Sequence, residues 1–337
     1  MDGAHSYWAP DFGDRAGPAD GAADILPGRA KAFGEMNQSR SDDDMAPIGP
    51  LPAAVWRSLL FVPGDDSRRM TKAAASSADA VIIDLEDGVP PQRKLFARDA
   101  IGTAIETLRA GGKAVLVRVR PGWRDLLQDI DAAAVPGVSA LMIPKAACPH
   151  ALKVVAEIIE EFTRERGLAA PGLVPLIESA KGVENAPAIA SVPQVIGIAL
   201  GTEDFSFDVG VAPTPELLDW PCRRMAMAAA AAGISAYAIP YSIAAFRDHA
   251  ATVAAAARAR SYGAHGALCI HPAQVDLVNE AFGFSAAEIA DARSVMAAWS
   301  EAVRAGHGVT TVNGRMIDAP VAARAARIMA LHTRTDM

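Results

Sequence analysis

The chain has 337 residues, 51% of them hydrophobic, and a formal net charge of −7. This is ample apolar material for one large core, and the acidic balance argues against a nucleic-acid binder, which usually presents a basic face. Its three cysteines, Cys148, Cys222 and Cys269, stand far apart with no C-x-x-C, which argues against a disulfide framework or zinc site and reads as reduced thiols in a cytoplasmic protein.

Residues 1–50 are rich in Gly, Pro, Asp and Ser and lack periodicity. Such a segment buries too little apolar surface to offset its ordering entropy, so a disordered tail is expected, and no basic-then-apolar signal peptide is visible. From residue 59 the pattern changes. Eight short apolar runs follow one another: LLFVPG (59–64), AVIIDLED (80–87), AVLVRVRP (114–121), ALMIPK (140–145), LVPLIES (173–179), VIGIALGTED (195–204), AYAIPY (236–241) and ALCIHP (267–272). Each ends in polar or turn residues, and the Ala-rich segments between them are long enough for crossover helices. This alternation predicts an α/β fold, a (β/α)8 TIM barrel over residues 51–284, with its chemistry at the C-terminal ends of the strands.

The spacing predicts helices over 99–108 and 153–162, closed by Gly111-Gly112 and Gly167. The uncharged stretch from Met225 to Phe246 is long enough to span a bilayer, but Gly233 and Pro240 divide it into a helix and a strand of the barrel, so no membrane span is expected. Beyond the barrel, 285–337 reads as a C-terminal extension: a helix capped by Ser285-x-x-Glu288, a Gly-rich hairpin-like excursion over 306–320, and a last helix over 321–331.

The strand ends gather candidate site residues. Glu178 and Asp204 are each expected to close a strand, and two carboxylates without His or Cys suit Mg²⁺; the alternative is that they cap the following helices. Arg118, inside an apolar run, suits a substrate oxyanion or carboxylate, or a structural ion pair with Asp84 or Glu86. Arg120, two positions on, is expected on the same face as Arg118. Asp84, Glu86 and Asp87 are expected to hold waters around the metal or to fix Arg and Lys side chains. Arg68, Arg69, Lys72, Arg93, Lys94 and Arg98 follow the first two strands and suit a phosphate-rich ligand, or a solvated helix face. His271 suits packing or substrate lining better than general-base work, because nothing in the sequence orients its ring.

The motifs RSLLFVPGDDSRRMTK (57–72), VIIDLEDGVPPQRKLFAR (81–98), LVRVRP (116–121), MIPKA (142–146), LIESAKGVENA (176–186), ALGTEDFSFDVG (199–210), ALCIHPAQV (267–275) and GRMIDAP (314–320) resemble the HpcH/HpaI aldolase and citrate lyase family. Within it they are similar to the citrate lyase beta-subunit-like and malyl-CoA or citramalyl-CoA lyase branch. The resemblance implies a Mg²⁺-dependent carbon–carbon lyase that cleaves or forms a β-hydroxyacyl-CoA, giving an acyl-CoA and a 2-oxo acid, and working as a homotrimer or hexamer. It implies metal binding by Glu178 and Asp204, and Arg118 on the reacting oxygen. CoA would run along Phe61, Arg68, Lys72, Arg93, Lys94 and Arg98, with Ile270 and His271 lining the site. Asp318, otherwise readable only as a turn residue, would be the catalytic acid/base, delivered by the extension to a neighbouring subunit. A citrate lyase beta subunit working on an acyl carrier, or a class II-type aldolase without CoA, are the alternatives. Three positions depart from the family pattern: Arg120 for Asn, Ala238 for Asp, and Asp66 for Arg.

Overall fold

A computed structural model describes residues 51–335; the tail expected over 1–50 lies outside the described residues. The chain forms two compact units, one comprising 51–285 with 331–335 and the other 286–330.

The first unit runs β1 (Ser58–Pro63), α1 (Ser67–Ala74), β2 (Ala80–Asp84), a 3₁₀ turn (Pro91–Arg93), α2 (Lys94–Asp99), α3 (Ile101–Ala110), β3 (Ala114–Arg118), α4 (Trp123–Ala133), β4 (Ala140–Ile143) and α5 (Pro149–Glu165). It continues through β5 (Gly172–Ile177), α6 (Ala180–Glu184), α7 (Ala186–Ala190), β6 (Gly197–Leu200), α8 (Thr202–Val209), α9 (Pro215–Ala232), β7 (Ser235–Tyr237), α10 (His249–Tyr262), β8 (Ala267–Cys269) and α11 (Pro272–Phe282). The eight strands are parallel, in the order β7-β6-β5-β4-β3-β2-β1-β8, and a single bridge between Tyr237 and Gly266 links the two ends of the row. This is the (β/α)8 barrel expected from the eight apolar runs.

Strand alternation divides the core in two. Leu59, Ile82, Leu116, Met142, Val174, Leu176 and Leu268 fill the barrel interior, whereas Val81, Ile83, Val115, Val117 and Ile177 face the helices. Both faces are buried, which is why these strands read as continuous apolar runs. The stretch from Met225 to Phe246 contains the end of α9 and all of β7, and among the described residues no helix is long and apolar enough to cross a membrane.

The second unit contains α12 (Ala286–Arg304), the antiparallel pair β9 (Thr310–Val312) and β10 (Arg315–Ile317), and most of α13 (Ala319–Thr335). The pair is joined by Asn313-Gly314, both at positive φ (51° and 72°), the signature of a tight hairpin turn. Val295, Trp299, Ile317 and Ala322 form its small core. The end of α13 belongs to the first unit, where Arg334 donates to the carbonyls of Pro52 (2.7 Å) and Ala53 (2.8 Å).

Candidate active site

The period of two that buries Ile82, Leu116 and Leu176 inside the barrel places Asp84, Arg118 and Glu178, each two residues further on, inside its C-terminal mouth. Asp84 and Arg118 are register partners across β2 and β3. The Arg118 guanidinium makes two 2.7 Å hydrogen bonds to the Asp84 carboxylate, lies 3.1 Å from Glu86 and 3.4 Å from Asp87, and stacks over the Phe61 ring at 4.9 Å. Burial pushes its pKa down, but the hydrogen bonds to Asp84 and the three surrounding carboxylates outweigh that and raise it above the ordinary value. Arg118 is thus both an ion-pair member and a wall of the cavity.

Arg120 does not share that face. β3 ends at Arg118, and Arg120 turns towards α4, where its side chain grips Asp129 (2.6 and 2.8 Å) and lies 2.8 Å from Asp125. Strand alternation fails there because the strand has already ended.

Glu178 is buried, 6% exposed. Its Oε2 accepts from the Lys145 backbone N–H at 2.7 Å, an N–H aimed inward by the left-handed conformation of Lys145 (φ 52°). Gly201 gives it room, since a Cβ there would lie 2.5 Å from the Glu178 Cγ. Burial, then the charges of Glu86 and Asp204, push its carboxyl well above the usual range. Glu86 is similarly held up to about 7, chiefly by burial, with Arg118 partly opposing. Both Glu86 oxygens are buried without a hydrogen-bond partner, because Arg118 stands within ion-pair distance but out of alignment.

Asp204 is placed differently from the strand-end position expected of it. β6 stops at Leu200, and Glu203 and Asp204 occupy the first turn of α8, exposed at the same cavity that Glu178 lines. Helical geometry, not strand alternation, separates the two neighbours: Glu203 accepts a 2.6 Å hydrogen bond from Ser242, and Asp204 makes none among the described residues. Buried, incompletely compensated carboxylates next to an exposed one form a hard-oxygen donor set that a divalent cation fits. Among the described residues no group of three or more His, Cys, Asp or Glu is arranged as a metal cage, so the protein would share such an ion with waters or substrate oxygens.

The cavity has a volume of about 700 Å³ and is also lined by Phe61, Lys72, Ile270 and His271. A second cavity of about 400 Å³ is lined by Arg68, Arg69 and Arg93. Arg93 is ion-paired with Asp65, and Lys94 donates to the carbonyls of Leu85 (3.1 Å) and Glu86 (2.6 Å). Arg98 turns towards Gln128 and Asp129. Lys72 has no ion pair among the described residues. Asp318 lies in the second unit, where it caps α13 by accepting from the Val321 N–H at 3.1 Å.

His271 is oriented after all. Its Nδ1 caps α11 by accepting from Ala273 (3.1 Å), and its ring stacks on Phe246 at 4.5 Å. Sequence patterns place Lys145 at a strand end of the site but mark neither Ser242 nor Gln274. The strand-end position of Lys145 was visible, but its φ was not, and Ser242 is joined to Glu203 only by the pairing of β6 with β7.

Comparison with known proteins adds the following. The model of the family described as HpcH/HpaI aldolase/citrate lyase matches residues 57–272. A citrate lyase subunit beta-like protein of Deinococcus radiodurans is 36% identical over 82% of this chain and 98% of its own. A (3S)-malyl-CoA thioesterase of Cereibacter sphaeroides is 33% identical over 78% of this chain and 90% of its own. The structure of CitE from Mycobacterium tuberculosis in complex with magnesium, acetoacetate and coenzyme A is 28% identical with a TM-score of 0.64, covering 83% of this chain and 99% of that one.

Proposed function

The chain belongs to the HpcH/HpaI aldolase/citrate lyase family, and on that premise we propose that it is a Mg²⁺-dependent lyase of a β-hydroxyacyl-CoA such as malyl-CoA or citramalyl-CoA. The observation that carries the reading is the pair of buried carboxylates, Glu178 and Glu86, the latter with neither oxygen hydrogen-bonded, beside Asp204 at the barrel mouth.

Glu178 and Asp204 would hold the metal, which when bound supplies Lewis-acid polarisation of substrate oxygens. The chain's own residues do the rest. Asp84 fixes the Arg118 guanidinium in the cavity wall, where it would stabilise negative charge on the substrate oxygen as the carbon–carbon bond breaks. Lys145 and Gly201 fix the Glu178 carboxylate. Phe61, Arg68, Lys72 and Arg93 border the cavities on the α1 side, where a CoA phosphate and pantetheine would lie, with Ile270 and His271 at the end of the adjoining strand β8. Lys94 and Arg98 are occupied within the fold and would support that surface from behind. Asp318 would deliver a proton to the acyl-CoA enolate carbon in cleavage and remove it in synthesis, reaching a neighbouring subunit's site in a homotrimer or hexamer.

The test is an assay with Mg²⁺ over a panel of hydroxyacyl-CoA thioesters, following both free 2-oxo acid and free CoA. The reading requires 2-oxo acid and acyl-CoA in equal amounts. The relative of Cereibacter sphaeroides supports a second reading, thioester hydrolysis, for which free CoA and the intact hydroxy acid would appear instead.

A further inference from the structure

The segment between β7 and α10 departs in sequence from the family pattern at Ala238 and forms a wall of the larger cavity through Ile243 and Ala244. It is pinned at three points by residues from other elements. Ser242 donates to Glu203, next to Asp204, at 2.6 Å. Gln274, 2% exposed, donates to the Ile243 carbonyl at 3.1 Å while its oxygen accepts from the Ile270 (2.9 Å) and His271 (3.1 Å) N–H groups. Phe246 stacks on the His271 ring at 4.5 Å. A buried amide that satisfies two loops at once leaves the wall little freedom.

Ile243 therefore stands between the carboxylates at the metal end and the Ile270–His271 edge. The wall offers an aliphatic surface, and the element to which Ser242 pins it carries the anionic Glu203 and Asp204. Such a surface suits an alkyl substituent better than a second substrate carboxylate, which would lose water there without gaining a partner. Resting on the lyase reading, we infer that Ile243 sets the size of the alkyl group carried by the 2-oxo acid half of the substrate, with Ser242 and Gln274 as positioning residues for the wall.

The experiment measures the affinity of the full-length protein with Mg²⁺ for glyoxylate, pyruvate, 2-oxobutyrate, 2-oxovalerate and oxaloacetate by calorimetry. Ile243→Ala is expected to raise the affinity for 2-oxovalerate relative to pyruvate about ten-fold, the scale of one or two methylenes in an apolar pocket. Ile243→Phe is expected to shift preference towards glyoxylate. Each variant is compared with its own pyruvate affinity, so a general loss of folded protein cancels. Ser242→Ala is expected to speed amide exchange over 241–248 and flatten the preference, and Ser242→Thr to restore both. If the wild type binds the series and the 2-oxovalerate-to-pyruvate ratio stays within two-fold in Ile243→Ala, or if oxaloacetate binds more tightly than 2-oxobutyrate, the inference fails alone. If the wild type binds none of the five, the lyase reading fails with it.

Discussion

At the scale of single residues, the mouth of the barrel concentrates charge that the fold itself does not neutralise. Glu86 and Glu178 are buried with only Arg118, the backbone of Lys145 and, 3.7 Å from Glu86, the ammonium of Lys145 to offset them. Replacing Glu178 by Gln removes one uncompensated buried charge, so the metal-free variant should melt higher than the metal-free wild type, while Mg²⁺ no longer stabilises it. Thermal melts with and without EDTA check both halves. The pH dependence follows from Glu86. Burial raises its carboxyl from 4.5 to about 7, so between those values the folded protein keeps a proton that the unfolded chain has released. Stability of the metal-free protein contributed by this group is therefore full below pH 4.5 and falls as pH rises towards 7. Denaturant midpoints in EDTA across that window should drop with rising pH for the wild type and change less for Glu86→Gln. The sequence placed Asp84, Arg118 and Glu178 correctly, because each lies two positions beyond an interior apolar residue. Arg120 escaped that logic, since no pattern in VRVRP marks where β3 stops.

At the scale of elements, the join between β6 and α8 decides the geometry of the site. Gly201 allows Glu178 to approach the backbone; Gly201→Ala would put a Cβ 2.5 Å from Cγ of that residue. The expected outcome is weakened Mg²⁺ binding in titrations, by ten-fold or more, with far-ultraviolet dichroism unchanged. VIGIALGTED reads as one strand because its apolar run and its two acids carry no helix period, and the helix start at Thr202 is visible only from the structure. Burial in α9 and β8 also governs the thiols. Cys269 is pushed up to about 12 by burial and Cys222 also upward, whereas Cys148 is partly exposed ahead of α5. Titration with a thiol reagent should therefore modify one cysteine in the native protein and three after unfolding.

At the scale of the whole molecule, the barrel was legible because eight runs recur with both faces apolar, and the hairpin because Asn313-Gly314 sits between short β-prone segments. The role of Asp318 was not legible in the same sense. Locally it is a helix cap, and only the resemblance of MIDAP to the family marks it. Its proposed action across subunits has a direct test: Glu178→Ala and Asp318→Asn are each expected to be inactive, and dissociating and reassembling a mixture of the two should restore a measurable fraction of turnover. Reassembly that stays inactive while forming mixed oligomers would place Asp318 outside the reaction. The central claim is that one divalent ion is shared by the carboxylates of Glu178 and Asp204. Anomalous scattering from crystals grown with Mn²⁺ tests it most directly. The account predicts a single strong peak within about 2.5 Å of both carboxylates, close to the metal–oxygen distances of hard octahedral sites. A peak elsewhere, or none at saturating Mn²⁺, would contradict it.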